Sequence, residues 1–467
     1  MKKTYDTVVI GSGPGGSITA LELLKAGFDV LLIEKGNSYS INDFDYYSYK
    51  EMENKYSNSG LTLAFGKPLI NYVEGSCFGG GSEVNSGLYH RLPNHVLNKW
   101  KSEFGIEYNS TELESIYEHI EKKINVSFID HNQSLASLKL KEGSENLGYK
   151  CVDVPRWAKL ENGKIIKQSM SETYLREYID LGGKYITNTS LSKFKGVDKI
   201  KLFLNSKGKD FNLVCNKLFL CAGSIYSPYI LLNSGYNKNI GNTLKMHPSF
   251  KFTAEFPEKI NYAGMGVPTH QVKHFDKISM GCSISSREYI GLSMFDSSDL
   301  KNLNEWEKMA TYYSMICPES LGSVSKLPFF KSPIVKFKLN NNDINKLKFG
   351  IRKLAEILFS SGAIKLYPSS KKKTIITNSL ELESFLSNHV SQFNLMTIHL
   401  FSSLRMGSNS SIYATNPYGR LWENPNVYIN DGSILCDSPT VNPQGTIMAF
   451  AHYNVKNFIN KNKNNEI

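Results

Sequence analysis

The sequence lacks the features that mark several classes of protein. Its seven cysteines are an odd number in 467 residues and include no C-x-x-C pair, which argues against a disulfide framework and a zinc site. No apolar run approaches the roughly 20 residues that a helix needs to cross a bilayer. The N-terminus enters an apolar strand without the hydrophobic region and cleavage site of a secretory signal. We therefore expect reduced thiols, a cytoplasmic location, no bound metal and no transmembrane segment.

The chain also lacks a concentrated patch of charge. Its 54 basic residues exceed its 43 acidic residues and give a net charge of +11, but the only dense cluster is Lys371-Lys372-Lys373. Scattered lysines are more typical of a solvated surface than of nucleic-acid binding, so no nucleic-acid partner is predicted. With 41% hydrophobic and 21% charged residues, the composition is that of a globular protein of two or three domains.

The first forty residues predict a β-α-β unit that binds a dinucleotide. An apolar strand over Thr7–Ile10 leads into a glycine turn, a helix from Ser17 to Ala26 and a second strand that ends at Glu34. Glycines at G-x-G-x-x-G spacing permit a tight bend and a close approach of backbone to a pyrophosphate, which the helix N-terminus also attracts. The terminal acid is placed to bind a ribose hydroxyl, and the motif alone does not choose between NAD and FAD. The candidate residues of this unit are Gly11, Gly13, Pro14, Gly15, Gly16 and Glu34.

Later segments repeat the strand-then-helix pattern. Apolar strands near residues 217–221 and 426–432 are each followed by a helix, predicted over 228–233 and 446–459. We interpret these pieces as one discontinuous domain, because one sheet would collect strands from the beginning, middle and end of the chain. The remaining segments suggest antiparallel strands and hold an amphipathic helix from Asp343 to Ser360. The predicted division is residues 1–95, 181–250 and 386–467 for the cofactor domain, and 96–180 and 251–385 for a substrate domain.

A set of further motifs carries a resemblance to a known family. A second glycine-rich segment, CFGGGSEVNSGLY, covers residues 77–89, and LCAGSIYSP covers 220–228. GNTLKMHP follows at 241–248 and AEILFSSGA at 355–363. With these blocks in this order over most of its length, the sequence resembles the glucose–methanol–choline (GMC) family of FAD-dependent oxidoreductases.

The resemblance implies an α/β fold with a Rossmann-like FAD-binding domain and an interleaved substrate domain on an antiparallel sheet. Some members bond the flavin through a histidine in the second glycine loop; Val84 stands at that position, so non-covalent FAD is expected. The segment around Asp431 would bring backbone amides near the pyrophosphate, and the helix near Thr446 would direct its N-terminus at the flavin. Beyond the first turn, the implied cofactor residues are Gly80, Gly81, Ser82, Asn85, Gly87, Ala222, Gly223, Asp431, Gly432, Asn442, Pro443 and Thr446.

The resemblance also implies a catalytic pair. His399 stands in the motif that holds the family's catalytic histidine, and Asn442 stands close to the family's spacing for its partner. Histidine can accept a hydroxyl proton near neutral pH, and an asparagine amide can orient the hydroxyl without titrating. We assign His399 as general base and Asn442 as its hydrogen-bonding partner. Ser402-Ser403-Leu404 departs from the family's frequent Gly-Thr-Cys, His247 is interpreted as structural or as support for the cofactor lid, and His452 as a packing residue.

The predicted reaction is the oxidation of a CH–OH group to a carbonyl, with hydride transfer to flavin N5. The preferred substrate is a small polar alcohol such as a sugar, cyclitol or polyol, and the electron acceptor is oxygen or an unidentified carrier. A sterol or long-chain alcohol is an alternative, as is a lyase or photodecarboxylase of the same family. A nicotinamide-dependent dehydrogenase and a flavin-binding protein without catalysis are further alternatives.

Overall fold

The computed structural model describes residues 2–129, 134–161, 164–265, 269–296 and 300–464. The α-helices of this part are α1 Pro14–Lys25, α2 Tyr49–Lys55, α3 Gly81–Val84, α4 Asn94–Phe104, α5 Ser110–Lys123, α6 Leu135–Asn146, α7 Tyr174–Asp180, α8 Gly223–Asn233, α9 Arg287–Met294, α10 Asn341–Ser360, α11 Ser379–Ser387 and α12 Gln444–Lys463. Its strands are β1 Thr4–Ile10, β2 Val30–Ile33, β3 Leu63–Ala64, β4 Ile70–Tyr72, β5 Val126–Ser127, β6 Cys151–Asp153, β7 Arg156–Glu161, β8 Lys164–Lys167, β9 Lys184–Ile186, β10 Thr189–Lys195, β11 Ile200–Ser206, β12 Lys209–Leu220, β13 Lys245–Met246, β14 Ser249–Glu255, β15 His270–Val272, β16 Ile278–Cys282, β17 Met309–Ile316, β18 Gly322–Ser325, β19 Ile334–Phe337, β20 Lys365–Pro368, β21 Leu395–Thr397, β22 Leu400–Phe401 and β23 Val427–Ile429.

A seven-stranded sheet carries the predicted β-α-β unit. Its order is β10-β11-β12-β1-β2-β9, with β23 beside the carboxyl end of β12. Strands β12, β1, β2, β9 and β23 run parallel to their neighbours in this group. Their apolar runs are buried on both faces because α1 and α12 cover one side and α8 contacts the sheet at β10. The carboxyl ends of β1, β12 and β23 therefore meet at one edge.

A nine-stranded sheet forms the second layer system. Its order is β3-β4-β21-β14-β17-β16-β15-β6, with β20 also paired to β14, and β14 to β17 to β16 to β15 run antiparallel. The amphipathic α10 packs its apolar face on this sheet, beside α6. Asn340 caps α10 by accepting a hydrogen bond from the Asp343 amide at 2.8 Å. Helices α10 and α6 cover one face of the sheet, and α9 packs against Met309 and Tyr367 on the opposite face.

The two buried cores cut across the predicted segment boundaries. Helices α4 and α5 pack into the core of the seven-stranded sheet, although they follow residue 95. Strands β4 and β21 pair with each other in the nine-stranded sheet, although they lie in segments assigned to the cofactor domain. The division into two domains stays a prediction. Boundaries that follow the two cores would place α4 and α5 with the cofactor domain, and β4 and β21 with the substrate domain.

Two local expectations differ from the structure. Residues 96–180 hold α4, α5, α6 and α7 rather than mainly antiparallel strands, because their apolar residues recur on one helical face, as in α5. Helix α8 begins at Gly223 and runs through Pro228. A proline inside a helix leaves the carbonyl four residues earlier without its partner, and here the Ser403 hydroxyl donates to that carbonyl, of Ser224, at 2.6 Å.

The remaining expectations concern cysteines and membranes. All seven cysteines are unpaired, and six of them are buried. Within the residues that the structure describes, no helix has the length and apolar composition required to cross a bilayer. The same residues contain no group of three or more His, Cys, Asp or Glu arranged to hold a metal ion. The cytoplasmic location stays a prediction.

Candidate active site

The first glycine turn is packed against the carboxyl ends of two neighbouring strands. Gly11 has a φ of +95°, and a Cβ there would overlap the Cys221 carbonyl. A Cβ at Gly15 would overlap the Asn430 carbonyl, and one at Gly16 would overlap the carbonyl of Gly11. At these three positions glycine is therefore required by the protein's own backbone.

Other glycines face open space. At Gly13 the nearest protein atom to a built Cβ is the Gly80 Cα, at 3.9 Å, and at Gly81 nothing lies within 4 Å. Gly80 has a φ of +57° and its own Cβ would come within 2.7 Å of the Gly13 Cα. The two glycine loops thus touch at one point and leave a backbone-lined groove beside the N-terminus of α1. A groove of this kind suits the pyrophosphate of a dinucleotide.

Glu34 is tied to both glycine loops. Its Oε2 accepts hydrogen bonds from the amide and hydroxyl of Ser12, at 2.9 and 2.6 Å, and its Oε1 accepts from the Gly36 amide at 2.8 Å. The Ser12 hydroxyl in turn accepts from the Gly79 amide at 3.0 Å. Ser12 was missed by the sequence analysis; a polar residue between the first two glycines of the motif is the signal that could have indicated it.

Asp431 joins the turns after β12 and β23. Its Oδ2 accepts from the Gly223 amide at 2.9 Å and from the Ser227 hydroxyl. Its Oδ1 accepts from the Ser433 amide at 2.8 Å and from the Ser433 hydroxyl. Burial raises the pKa of Asp431, against the lowering effect of these donors. With its carboxylate fully engaged, Asp431 can approach a cofactor only through the backbone around it.

The other predicted cofactor residues fall into two groups. Ala222, Gly223 and Gly432 lie with Asp431 at the edge where β12 and β23 end; the Ala222 amide donates to the Ser227 hydroxyl at 3.0 Å. The Asn85 side chain donates to Gln444 at 2.6 Å and accepts from the Gly87 amide at 3.0 Å. Asn85 and Gly87 are thereby held at the start of α12, which Pro443 precedes and which includes Thr446. Ser82 is fully buried and donates to the Gly79 carbonyl at 2.8 Å, so it shapes the loop.

One carboxyl group with a buried oxygen lies beside Gly223. Glu74 has a buried Oε2 without a hydrogen-bond partner among the described residues, and its Oε1 lies 3.6 Å from the Cβ position of Gly223. Burial raises the pKa of Glu74 to about 8. At neutral pH the group is mainly uncharged, so it can donate a hydrogen bond and does not repel an anion. Glu74 was not identified from the sequence.

His399 and Asn442 are brought together. The Asn442 amide nitrogen lies 3.3 Å from His399 Nε2. On the other side of the ring, His399 Nδ1 lies 3.1 Å from His247 Nδ1, and His247 Nε2 lies 2.7 Å from the Ser438 hydroxyl. The four residues form one buried chain of hydrogen bonds. His247 therefore contacts the candidate base directly, a role that the sequence analysis did not assign to it.

The chain of hydrogen bonds fixes where the protons lie. The Asn442 amide nitrogen can only donate, so His399 Nε2 must accept, and the ring proton sits on Nδ1. Nδ1–H then donates to His247 Nδ1, and His247 donates from Nε2 to Ser438. His399 consequently presents an unprotonated nitrogen beside Asn442.

The segment after His399 is anchored to the turn after β23. The amides of Ser402 and Leu404 donate to the carbonyls of Gly432 and Ser433, at 3.0 and 2.8 Å. Ser402 has a φ of +66°, a region that favours glycine. The family's frequent glycine at this position is thus explained by backbone conformation. A serine at this φ carries local strain that a glycine would not, and the Ser403 hydroxyl donates to the Ser224 carbonyl.

The site is electrostatically positive and its histidines are neutral. Burial, with the charge of Lys273 as a second cause, lowers the pKa of His399 to about 3. Burial likewise lowers the pKa of His90 to about 3 and that of His247 well below its usual value. Burial also lowers the pKa of Lys273, to about 8, which leaves it mostly charged at pH 7.

The nine-stranded sheet contributes polar residues that sequence reasoning missed. The Gln271 amide lies 3.4 Å from the Asn442 oxygen and donates to the Tyr313 hydroxyl at 2.7 Å. Gln271 is on β15 and Tyr313 on β17, so the Tyr313 ring spans the intervening strand β16 over Gly281. The pairing of Gly281 with Tyr313 indicates this arrangement, but it can be recognised only when the strand register is known.

Family comparisons identify the type of protein to which this site belongs. Residues 52–249 match the model "GMC oxidoreductase" for the N-terminal part of that family, and residues 321–451 match the model for its C-terminal part. Residues 4–43 match an FAD-binding domain. The predicted cofactor, FAD, is thereby confirmed, and the open space at Gly13 and Gly81 is a cradle that fits its pyrophosphate.

Individual relatives agree with the family assignment. The chain is 32% identical to an uncharacterized GMC-type oxidoreductase of Sinorhizobium fredii, over 96% of this chain and 93% of the relative. It is 28% identical to a long-chain-alcohol oxidase of Arabidopsis thaliana, over 96% of this chain and 66% of that protein. The crystal structure of pyridoxine 4-oxidase from Mesorbium loti superposes with a TM-score of 0.76 at 14% identity, covering 97% of this chain and 99% of the other. That likeness confirms the predicted fold class.

Two glycines of the first turn should differ in their response to substitution. Gly13→Val adds a side chain where the protein leaves space, at a φ of −63° that any residue adopts. We expect a normally folded protein that loses most of its FAD, measured by far-UV circular dichroism and by the flavin released on denaturation. Gly16→Ala, which forces the Gly11 carbonyl to move, should lower thermal stability as well. A Gly13→Val protein with a full complement of FAD would show that the groove does not hold the cofactor.

Stability should fall on mild acidification because the site histidines are buried as neutral groups. The folded pKa of His399, about 3, lies below the value of about 6.5 in an unfolded chain. Its contribution is complete above pH ~6.5 and is lost by about 1.4 kcal/mol per pH unit as the pH falls toward the folded pKa. Urea denaturation of the FAD-loaded protein between about pH 7 and 5 measures this slope. His399→Gln should reduce the slope by that amount; parallel curves for the two proteins would contradict the prediction.

Proposed function

Because the chain belongs to the GMC oxidoreductase family, we propose that it oxidises the CH–OH group of a small polar alcohol, with His399 as general base and Asn442 as its partner. The family and its alcohol-oxidising relatives make the protein an FAD-dependent oxidoreductase that acts on alcohols. The proposal adds the residue roles and the polar character of the substrate. The observation that carries it is the buried hydrogen-bond chain through His399.

The chain of hydrogen bonds supports the role of His399. Its Nε2 has no proton and accepts from the Asn442 amide at 3.3 Å. A substrate hydroxyl that replaces this hydrogen bond can donate to the ring and accept from the amide. Nδ1 is held by His247, which Ser438 holds in turn. This support keeps the ring in one tautomer and one orientation.

The low pKa of His399 is compatible with this role. At this pKa the ring is neutral over the whole physiological range and its Nε2 lone pair is free of a proton, but the driving force for proton transfer to it is smaller than for a histidine with a pKa near 7. When the proton arrives, the ring becomes a cation next to Lys273, which disfavours it. The negative charge that develops on the substrate oxygen offsets this repulsion until the hydride leaves the alcohol carbon. Bound FAD supplies the acceptor for the hydride that leaves the alcohol carbon.

The sheet face beside the pair supports a polar substrate. Gln271 and Tyr313 present amide and hydroxyl groups next to Asn442, and Ser279 and Lys273 lie on the same face. A substrate with several hydroxyl groups can satisfy such atoms, whereas an alkyl chain would leave them unpaired at a cost of about 1–3 kcal/mol each. The long-chain-alcohol oxidase of Arabidopsis thaliana, at 28% identity, makes long-chain alcohols the second candidate.

Anaerobic reduction of the bound flavin tests the assignment of the pair. His399→Ala and Asn442→Ala should each slow reduction by about 100- to 10,000-fold with FAD still bound, because the hydroxyl proton loses its acceptor or its alignment. The rate is measured as the bleaching of the visible flavin band after mixing with alcohol.

His95 offers a matched control because it is exposed on α4. His95→Ala should reduce flavin at the wild-type rate. Normal reduction by both site variants would overturn the assignment of base and partner. Faster reduction of the wild-type protein by fatty alcohols than by every polyol or sugar in the panel would favour the second candidate substrate.

A further inference from the structure

The face of the nine-stranded sheet that is turned to His399 carries an unusual set of side chains. Residues of β15 and β16 alternate between this face and the helix-covered core. Gln271 reaches Asn442, whereas Val272 and Met280 lie in the core. Val272 pairs with Met280 in antiparallel register, so the next residues on each strand, Lys273 and Ser279, are neighbours on the face that Gln271 shares.

These neighbours have polar atoms that nothing in the described structure satisfies. The Lys273 ammonium nitrogen and the Ser279 hydroxyl are both buried without a hydrogen-bond partner among the described residues. Nearby, the Gln271 and His90 side chains interact with each other, which acts to raise the pKa of His90 against the larger lowering effect of burial. Two unpartnered polar atoms on neighbouring residues need an explanation, since buried polar groups are nearly always paired.

The charge of Lys273 also has no counter-ion. Within the described part of the chain, no carboxylate forms an ion pair with Lys273, and the neighbouring Cys317 thiol is uncharged at neutral pH because burial raises its pKa. The positive charge of Lys273 is felt at His90, His247 and His399, lowering the pKa of each. Lys273 is therefore close to the candidate base. An ammonium group buried without an anion costs several kcal/mol unless a ligand compensates it.

We propose that the substrate alcohol carries an anionic oxygen group, a carboxylate or a phosphate, which binds the Lys273 ammonium with the Ser279 hydroxyl as a second donor. This inference rests on the proposed function and specifies its substrate class. The Lys273 ammonium and the Ser279 hydroxyl can both donate hydrogen bonds to the oxygens of such a group. The CH–OH to be oxidised then lies between His399 and Asn442, and the anion fixes the molecule beside them.

Lys273 has an alternative role as an electrostatic group that keeps His399 neutral. In that role its removal would change the oxidation of every alcohol equally and would shift the acid limb of the pH–rate profile toward higher pH. In the proposed role, the removal of Lys273 would weaken the oxidation of anionic alcohols and would leave that of neutral alcohols nearly unchanged. The two roles are separated by comparing pairs of alcohols that differ only in an anionic group.

The experiment uses the FAD-loaded enzyme with two matched pairs, glycerol against glycerol phosphate and benzyl alcohol against para-hydroxymethylbenzoate. For a pair that reduces the flavin, the anionic member should have the higher kcat/KM, and Lys273→Met should lower that value by about 30-fold or more through KM. The neutral member should change by less than about 3-fold. Lys273→Arg should retain the preference. An equal loss for both members of a pair would overturn the proposal.

A control and a binding measurement keep the result separate from the proposed function. Lys150→Met removes the same charge from an exposed side chain near β15 and should leave the preference intact. Calorimetric titration with para-methylbenzoate and with inorganic phosphate, which cannot be oxidised, reports the anion site without turnover. At least one should bind wild-type enzyme and bind Lys273→Met about 30-fold or more weakly. No binding of either anion would overturn the proposal even if His399→Ala abolishes reduction; anion binding without reduction by any alcohol would count against the proposed function alone.

Discussion

The buried carboxylate of Asp431 is the interaction on which the site's geometry depends. It accepts hydrogen bonds from the turn after β12 and from the turn after β23. The backbone beside it, at Asn430, packs against Gly15 in the first glycine turn, and the carbonyls of Gly432 and Ser433 hold the segment that follows His399. One side chain therefore links the candidate cofactor groove to His399, the proposed general base. Since a buried carboxylate is costly without donors, the loss of one donor would be felt in both places.

Burial and the nearby charge of Lys273 together keep His399, the proposed base, neutral. Burial is the largest cause that lowers the pKa values of His90, His247 and His399, and the charge of Lys273 lowers them further. His399 and His247 share one proton between their Nδ1 atoms. A neutral pair of this kind holds its orientation without a carboxylate behind it, in contrast to arrangements in which an acid orients the histidine. The positive charge is left available to an incoming anion.

The sequence could predict the parts of the molecule that depend on local pattern. The β-α-β unit, the helix α10, the FAD cofactor and the family all follow from short motifs, and the comparisons confirm family and cofactor. The predictions for His399 and Asn442 followed from motif and spacing. The contacts of Ser12, His247 and Gln271 could not be predicted, because each is set by strand register or by residues more than 20 positions away. The start of α8 was missed because a proline in a helix is tolerated only where a distant hydroxyl, here that of Ser403, replaces its hydrogen bond.

The proposed substrate preference rests on the polar atoms that the site would leave without partners, rather than on the apolar surface that a substrate would cover. An alkyl chain over this face gains about 25 cal/mol for each Å² of apolar surface that it removes from water. It would also seal the Lys273 ammonium and the Ser279 hydroxyl away from any partner, and an unpaired buried charge outweighs the burial of several methylene groups. Identity of 28% to a long-chain-alcohol oxidase reflects a shared scaffold and chemistry, whereas the lining of a pocket varies within a scaffold. The unpaired Lys273 and Ser279 donors are therefore stronger evidence than the 28% identity, and they favour a substrate that carries hydrogen-bond acceptors.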